Sequence, residues 1–427
     1  MAMADPDEID LFGMLPDDLV VTILSFLPTP VAARTSVLCR RFRHLWEASP
    51  SLTLTTESGS DFAVNFYNMA DRLIFERDPS HPHPLLSLHI QLPNYSKLTD
   101  YYIHHLLMKA RSFHPRHLTI EGSHSLVCLL VFIFSIDSLE SLSLPTGIGP
   151  YRCLFPPHLP ISCHRLRTLS LGFFRVDSAS ATRLVSELCS LEDLYLEIYA
   201  RDKTLTLSSQ SIRKLKLIIG ASDSDSKFHT LALSLPSLEA LHFETRGASF
   251  GQCHMIHGQI PLLKTAVVSL DEAYAEDVTA VAALLNFISH AGELSLRLKE
   301  ERFLVPGPIL FEPGKYVPNF PNLKRLDVSL CFHDHNLDSV IMMLHNCPAL
   351  ESLKLVHKIP KFTDWAQGRK RKDWRSELPR NADGNRRYAS FTNLHSWKNK
   401  KEFMKFLDKK CTFVRRTQNG DLYCQLR

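Results

Sequence analysis

The feature that most constrains the fold of this sequence is a short leucine pattern that recurs along most of the chain. In strict or loosened form, L-x-x-L-x-L starts nine times between residues 139 and 350, at a mean spacing of about 26 residues. The copies are LESLSL (139–144), LRTLSL (166–171), LEDLYL (191–196), IRKLKL (212–217), LEALHF (238–243), LKTAVV (263–268), AGELSL (291–296), LKRLDV (323–328) and LESLKL (350–355), with looser copies at 85–90 and 116–120. One match could occur in any leucine-rich α/β domain, but nine in near-register predict stacked repeats.

The spacing within each copy predicts one short strand per repeat. Alternate side chains of a strand share a face, so Leu194 and Leu196 are expected to point inward and Tyr195 outward. Between the strands, patterns such as Val278, Val281, Leu285 and Ile288 predict helices. A unit of helix, turn and strand buries its apolar face only against neighbouring units. We therefore predict an α/β fold, a curved leucine-rich-repeat solenoid with parallel strands, made irregular by the wide gap from 291 to 323.

The opening segment, MLPDDLVVTILSFLP (14–28), predicts a helix with an unusually wide apolar arc. Pro16 suits a helix start, and Asp17 and Asp18 suit its first turn. The apolar arc spans roughly 220°, whereas a surface helix usually has a stripe of about 100° or more. Its members, in order around the helix, are Phe26, Leu19, Ile23, Leu27, Val20, Leu24 and Val21. One packing layer cannot cover this arc, so we expect contact with its own domain and, as one interpretation, with another chain.

Composition places the chain among globular proteins, with 44% hydrophobic and 22% charged residues. The N-terminus, MAMADPDEID, lacks the basic and apolar regions of a secretory signal, and the apolar run at 126–136 is too short to span a bilayer. The ten cysteines form no CxxC pair, so we interpret them as reduced, mostly buried thiols. These features predict a protein without a membrane partner.

Charge is distributed unevenly. Residues 358–427 hold 19 Lys/Arg and 7 Asp/Glu, so the rest of the chain is mildly acidic. We expect residues 364–390 to be a linker or disordered, because they are polar and charged. Its GRKRK run (368–372) fits a nuclear-import patch, a nucleic-acid contact or a solvated charge run. No aromatic stacking pattern accompanies it, so nucleic acid is not an expected partner.

Signals of enzymatic chemistry are incomplete. Gly247-Ala-Ser249-Phe-Gly251 matches a hydrolase nucleophile elbow, but the residues that follow do not predict the helix this motif requires. Cys253, His254 and His257 lack a fourth zinc ligand, and the pairs His81/His83 and His333/His335 are equally incomplete. No phosphate-binding or dinucleotide motif is present, so neither cofactor nor metal is predicted.

The segment LPDDLVVTILSFLPTPVAARTSVLCRRFRHLW (15–46) resembles the F-box of plant F-box/leucine-rich-repeat proteins, usually LPD-x-LL-x-x-ILSFLPT-x-x-AxRTSVLS-x-RWR-x-LW. Departures from that form are mild: Phe42 replaces a tryptophan and Cys39 a frequent serine. About 35 residues are too few for an independent core, so these three expected helices need a partner or the solenoid. We divide the chain into an acidic tail (1–10), an F-box (11–50), a leucine-rich-repeat solenoid (51–360) and a basic tail (361–427).

The resemblance implies a plant protein of the cytoplasm or nucleus, and it implies a partner and a site. In F-box proteins this segment docks on the Skp-type adaptor of an SCF cullin–RING ubiquitin ligase. By resemblance, the candidate adaptor contacts are Leu15, Pro16, Leu19, Ile23, Leu24, Val37 and Cys39. We interpret Leu27 and Leu38 as domain core, and residues 391–413, with Phe403, Phe406 and Leu407 on one helical face, as a divergent remnant of the FBD segment of many relatives.

These expectations favour a non-catalytic substrate receptor, which brings an unknown target protein near ubiquitylating subunits. The outward strand positions of the repeats would bind that target, with Tyr195, Lys216 and His242 as anchors by side-chain type. One alternative is a repeat scaffold without a ligase, in which the N-terminal helices only cap the solenoid. A remote alternative is a serine hydrolase at Ser249.

Overall fold

A computed structural model describes fifteen stretches of the chain. The chain divides into two compact units, Met1–Arg175 and Val176–Arg427. The described residues are 14–55, 68–75, 85–91, 100–121, 127–145, 153–199, 204–220, 230–246, 255–271, 278–299, 318–330, 343–357, 388–392, 411–416 and 422–426.

The first unit begins with the three expected helices. They are α1 (Asp17–Ser25), α2 (Thr29–Arg34) and α3 (Phe42–Leu45), and 3-10 turns follow α2 and α3 at Thr35–Val37 and Trp46–Ala48. Pro16 and Pro28 directly precede α1 and α2, where their missing N–H groups leave no helical hydrogen bond unmade. The helices share a small buried core of Val20, Val21, Leu24, Ala32, Phe42 and Trp46.

The same unit continues into parallel strands. In sheet order they are β1 (Ser51–Leu54), β2 (Ser87–Gln91), β3 (His117–Glu121), β4 (Ser141–Ser143) and β6 (Thr168–Val176), with the short β5 (Cys153–Leu154) paired to β6. Helices α4 (Asp100–Arg111) and α5 (Val127–Ile133) and a π-helical turn (Asp71–Phe75) lie between the strands in sequence. The looser copies at 85–90 and 116–120 are confirmed as repeats, and β1 adds another strand before them.

The second unit confirms the parallel repeat. Its strands in sheet order are β7 (Asp193–Tyr199), β9 (Lys214–Gly220), β11 (Ala240–Arg246), β13 (Thr265–Asp271), β14 (Glu293–Lys299), β15 (Arg325–Leu330) and β16 (Ser352–His357). Every one begins two residues after the first apolar residue of its predicted copy. The inward side chains at the two alternating positions, such as Leu194 and Leu196, are buried. The core is therefore a stack of leucine layers, one per repeat.

The prediction of a helix in every repeat is wrong for three repeats. Strands β8 (Thr204–Ser208), β10 (Thr230–Ser234) and β12 (Met255–Gln259) form a second parallel sheet where helices were expected. Their sequences TLTLS and TLALS alternate in polarity, which is the period of a strand, so the signal was available. Helices α6 (Ser178–Glu187) and α7 (Val278–Phe287) do form, and the latter confirms the pattern at 278–288.

The second unit also extends beyond the expected end of the solenoid at residue 360. Strand β17 (Tyr388–Thr392) pairs parallel to β16, and the antiparallel strands β18 (Cys411–Arg416) and β19 (Leu422–Leu426) follow. The sheet thus includes part of the region we expected to be a basic tail. The expected helical face with Phe403, Phe406 and Leu407, and the GRKRK run, lie outside the described residues.

The structure defines the burial of Cys39, Cys163, Cys189 and Cys347, which allows a test. Cys39 and Cys189 are exposed, whereas burial raises the pKa of Cys163 to about 11 and that of Cys347 to about 12. At pH 8 we expect iodoacetamide to alkylate Cys39 and Cys189 in the folded protein, and the other two only after denaturation, as read by peptide mass spectrometry. Fast alkylation of Cys163 or Cys347 in the folded protein would contradict their burial.

The same two thiols affect how stability depends on pH. Since the pKa values of Cys163 and Cys347 are raised in the folded protein, the stability that these thiols contribute is complete below pH 9 and declines as pH rises through 11 and 12.

Candidate functional site

Helix α1 divides its apolar side chains between two surroundings. Val20, Val21 and Leu24 are buried in the core of the first unit. Leu19, Ile23 and Phe26 remain on the surface, with 51% of Leu19 and 81% of Phe26 exposed, and Leu27 lies beside them. The wide arc is thus half core and half surface, as expected for a helix that packs on its own domain and has a second face available to a partner.

A second set of exposed apolar residues follows α2. Val37 is 84% exposed and Leu38 70% exposed, and the exposed Cys39 comes next. Arg41 ties this segment to the start of α1, because its Nε donates a hydrogen bond to Asp17 Oδ1 at 2.7 Å and its Nη2 donates to the Leu15 carbonyl oxygen. We name the exposed side chains of Leu19, Ile23, Phe26, Val37 and Leu38 the F-box apolar surface.

The structure separates the candidate adaptor contacts. Leu15 is half-buried, and Pro16, Leu19, Ile23, Val37 and Cys39 are exposed, so all of these can reach a partner. Leu24 cannot, because only 3% of it is exposed and it packs in the helical core. The interpretation of Leu27 and Leu38 as core is likewise wrong for this chain, since both are exposed. Helical phase alone did not show which part of the arc the neighbouring helices cover.

The three helices are fixed to the first repeat. The Thr53 backbone N–H, in β1, donates a hydrogen bond to Thr29 Oγ1 at 2.7 Å. The guanidinium of Arg72 lies 5.2 Å from the centroid of the Trp46 ring and forms an ion pair with Glu47. The cation–π contact and the backbone hydrogen bond both restrict rotation of the helices relative to the first repeat. The helices therefore have a defined orientation relative to the strands of their own unit.

A second candidate surface lies on the outward face of the second unit. Tyr195, Lys216 and His242 occupy matching register positions on the adjacent strands β7, β9 and β11, so the structure brings the three predicted residues together. The Lys216 ammonium lies 4.4 Å from the Tyr195 ring centroid, a cation–π contact. His242 Nε2 lies 3.8 Å from Glu244 Oε2.

Sequence reasoning missed the acidic part of this cluster. Glu197 and Glu244 lie two residues beyond Tyr195 and His242 on the same strands, and Ile218 pairs with both. Glu197 is fully buried and the Glu244 side chain is 12% exposed. The strand period of two placed both carboxylates on the outward face, so the sequence signal existed. Together these side chains offer a cation, an aromatic ring, an imidazole and two carboxylates within three strands.

The chemistry of this cluster suits recognition. Among the residues that the structure describes, no group of three His, Cys, Asp or Glu could hold a metal ion. The candidate nucleophile Ser249, with Cys253 and His254, lies outside the described residues. The next described element is strand β12, with His257 exposed on it, whereas a nucleophile elbow is followed directly by a helix. Within the described stretches no helix is both long and apolar enough to cross a membrane.

Comparison with known proteins identifies relatives that share this domain order. The F-box domain model matches residues 12–53. An F-box/FBD/LRR-repeat protein of Arabidopsis thaliana is 26% identical, covering 82% of this chain and 73% of the relative. An F-box/LRR-repeat protein of the same plant is also 26% identical and covers 82% of this chain and 93% of its own length. The similarity therefore extends from the helices through the repeats.

Proposed function

We propose that this chain, which carries an F-box domain followed by leucine-rich repeats and is related to plant F-box/LRR-repeat proteins, is the substrate receptor of an SCF-type ubiquitin ligase. The F-box apolar surface would bind the Skp-type adaptor, and through it the cullin and RING subunits. The outward face of the repeats would bind the protein to be ubiquitylated.

The observation that carries the proposal is the exposure of the F-box apolar surface. Five large apolar side chains on two neighbouring segments face solvent in a domain whose own core is already filled by Val20, Leu24 and Trp46. Large exposed apolar side chains concentrated in one small domain are typical of protein–protein interfaces. The contacts of Arg72 and Thr29 with the helices and β1 support the role further, because they give a bound adaptor a fixed direction relative to the first repeats.

In this role the chain supplies proximity and no catalytic residue. Target lysines are held near a conjugating enzyme carried by other subunits, which raises their effective concentration. Tyr195, Lys216 and His242, with the partly exposed Glu244, would form the polar anchor for the target. We propose that it acts in the cytoplasm or the nucleus.

The test is co-purification with a Skp-type adaptor, comparing the wild type with the double variant Leu19→Asp, Ile23→Asp. Both side chains are exposed, so the variant should remain folded by circular dichroism and lose binding by at least about 100-fold, since two charges would be buried against an apolar partner. The matched control is Met108→Asp, Leu262→Asp, which changes two exposed apolar residues outside the F-box.

Two outcomes decide between receptor and scaffold. Binding by the wild type and the control, lost in the F-box variant, supports the receptor. A folded wild type that does not bind any adaptor tested, or an F-box variant that binds as well as the control, would overturn the proposal and favour the scaffold without a ligase.

A further inference from the structure

A strongly basic segment adjoins the F-box apolar surface. Residues 34–44, RTSVLCRRFRH, contain four arginines and one histidine and no acidic residue. Arg34, Arg40, Arg43 and His44 are exposed, and Arg41 is partly so. Because Val37 and Leu38 lie within this same segment, the exposed apolar and basic side chains share one part of the domain surface.

Part of this charge is neutralised and part is not. Arg41 pairs with Asp17, and His44 Nδ1 lies 3.5 Å from Glu47 Oε2. Within the described part of the chain, neither Arg40 nor Arg43 forms an ion pair. Some exposed arginines of the repeats are paired instead: Arg213 pairs with Glu239 at 3.3 Å and Arg325 with Glu293 at 3.3 Å.

An apolar contact area bordered by charge of one sign selects a partner by its electrostatic potential. Charges at the rim of an interface add little to affinity, but they steer the encounter and raise the association rate. Nucleic acid is a poorer fit, because the exposed side chains between the arginines are the aliphatic Val37 and Leu38, which offer no ring for base stacking.

We propose that Arg40 and Arg43 form a basic rim that steers adaptor binding, so that the Skp-type adaptor meets this F-box with an acidic margin around its apolar docking surface. This inference rests on the proposed function and adds the chemistry of the partner's margin. It predicts an association rate that falls with ionic strength while the dissociation rate changes little.

The experiment measures association and dissociation rates of the full chain with the adaptor by surface plasmon resonance, at about 0.05 M and about 1 M NaCl. The variant is Arg40→Glu, Arg43→Glu, and the control is Arg111→Glu, Arg165→Glu, which makes the same change in net charge at exposed arginines of the repeats in the same unit. At low salt we expect the rim variant to associate about tenfold more slowly than the wild type. At high salt, where the screening length is about 3 Å, the difference should shrink to less than about twofold.

The outcomes separate this inference from the proposed function. If no chain binds the adaptor at either salt concentration, both fail. If the wild type binds and the rim variant associates as fast as the control at low salt, the steering inference alone is overturned. It is overturned as well if the rim variant keeps its adaptor kinetics but loses binding to a single-stranded oligonucleotide, since the arginines would then serve nucleic acid.

Discussion

Replacing Leu24 with aspartate is expected to unfold the F-box helices, whereas the same change at Leu19, five residues earlier on α1, should leave them folded. Leu24 is only 3% exposed and belongs to the apolar core of these helices, so an aspartate there loses the apolar packing of a leucine and places a carboxylate in an apolar core. We expect a loss of more than about 4 kcal/mol in the free energy of unfolding of these helices. Leu19 is half exposed, so Leu19→Asp should change that free energy by less than about 0.5 kcal/mol.

Amide hydrogen exchange over residues 14–50, with and without urea, measures the free energy of unfolding of these helices in each variant. The Leu24→Asp chain should lose protection in α1 and α2 while the strands of the second unit keep theirs. Equal protection in the two variants would mean that Leu24 does not lie in the core and would restore it as a candidate adaptor contact.

The second large effect is expected at Gly258, in strand β12. Its φ of 132° is a conformation that L side chains rarely adopt, and a Cβ at this position would lie 1.9 Å from the backbone oxygen of Leu233 in β10. Since backbone atoms on both strands would have to move, Gly258→Ala should lower the free energy of unfolding of the second unit by about 2 to 4 kcal/mol.

Gly292 provides the matched control for this substitution. A Cβ there would lie 3.4 Å from the Lys264 carbonyl oxygen, and its φ is not in the left-handed region. Gly292→Ala should therefore change stability by less than about 1 kcal/mol. Urea denaturation of both variants, followed by circular dichroism, tests the pair; a Gly258→Ala chain as stable as Gly292→Ala would show that β10 and β12 do not pair in this register.

The repeat was predictable because its signal is local and redundant. Each copy carries its own alternation, and nine copies fix the phase, so the strands begin where the pattern placed them. The second sheet was not predicted, because a helix was expected in every repeat. The segments that form this sheet have an alternation of their own, which favours strands. In the stretches TLTLS and TLALS, five residues are too few for a helix of several turns and enough for a strand.

The polar cluster on the outward face of the second unit was also only partly predictable from sequence. Tyr195, Lys216 and His242 could be placed on one face from sequence, because the period of a strand is two. Their placement on adjacent strands depends on the pairing order β7, β9, β11, in which the intervening β8 and β10 do not join the main sheet. The same period places Glu197 on the outward face, but its full burial depends on the surrounding chain, which local pattern does not encode.

The leucine-rich repeat, the three N-terminal helices and an apolar arc wider than one packing layer can cover were all predictable from local sequence pattern. How that arc divides, with Leu24 inside and Leu19, Ile23 and Phe26 outside, is set by packing between the helices. The physical reason is that a helical pattern gives the direction of each side chain relative to its own axis. Whether that direction ends in core or in solvent depends on which other helices and strands pack against it, and such contacts join residues far apart in the chain, as Arg41 joins Asp17 and Arg72 joins Trp46.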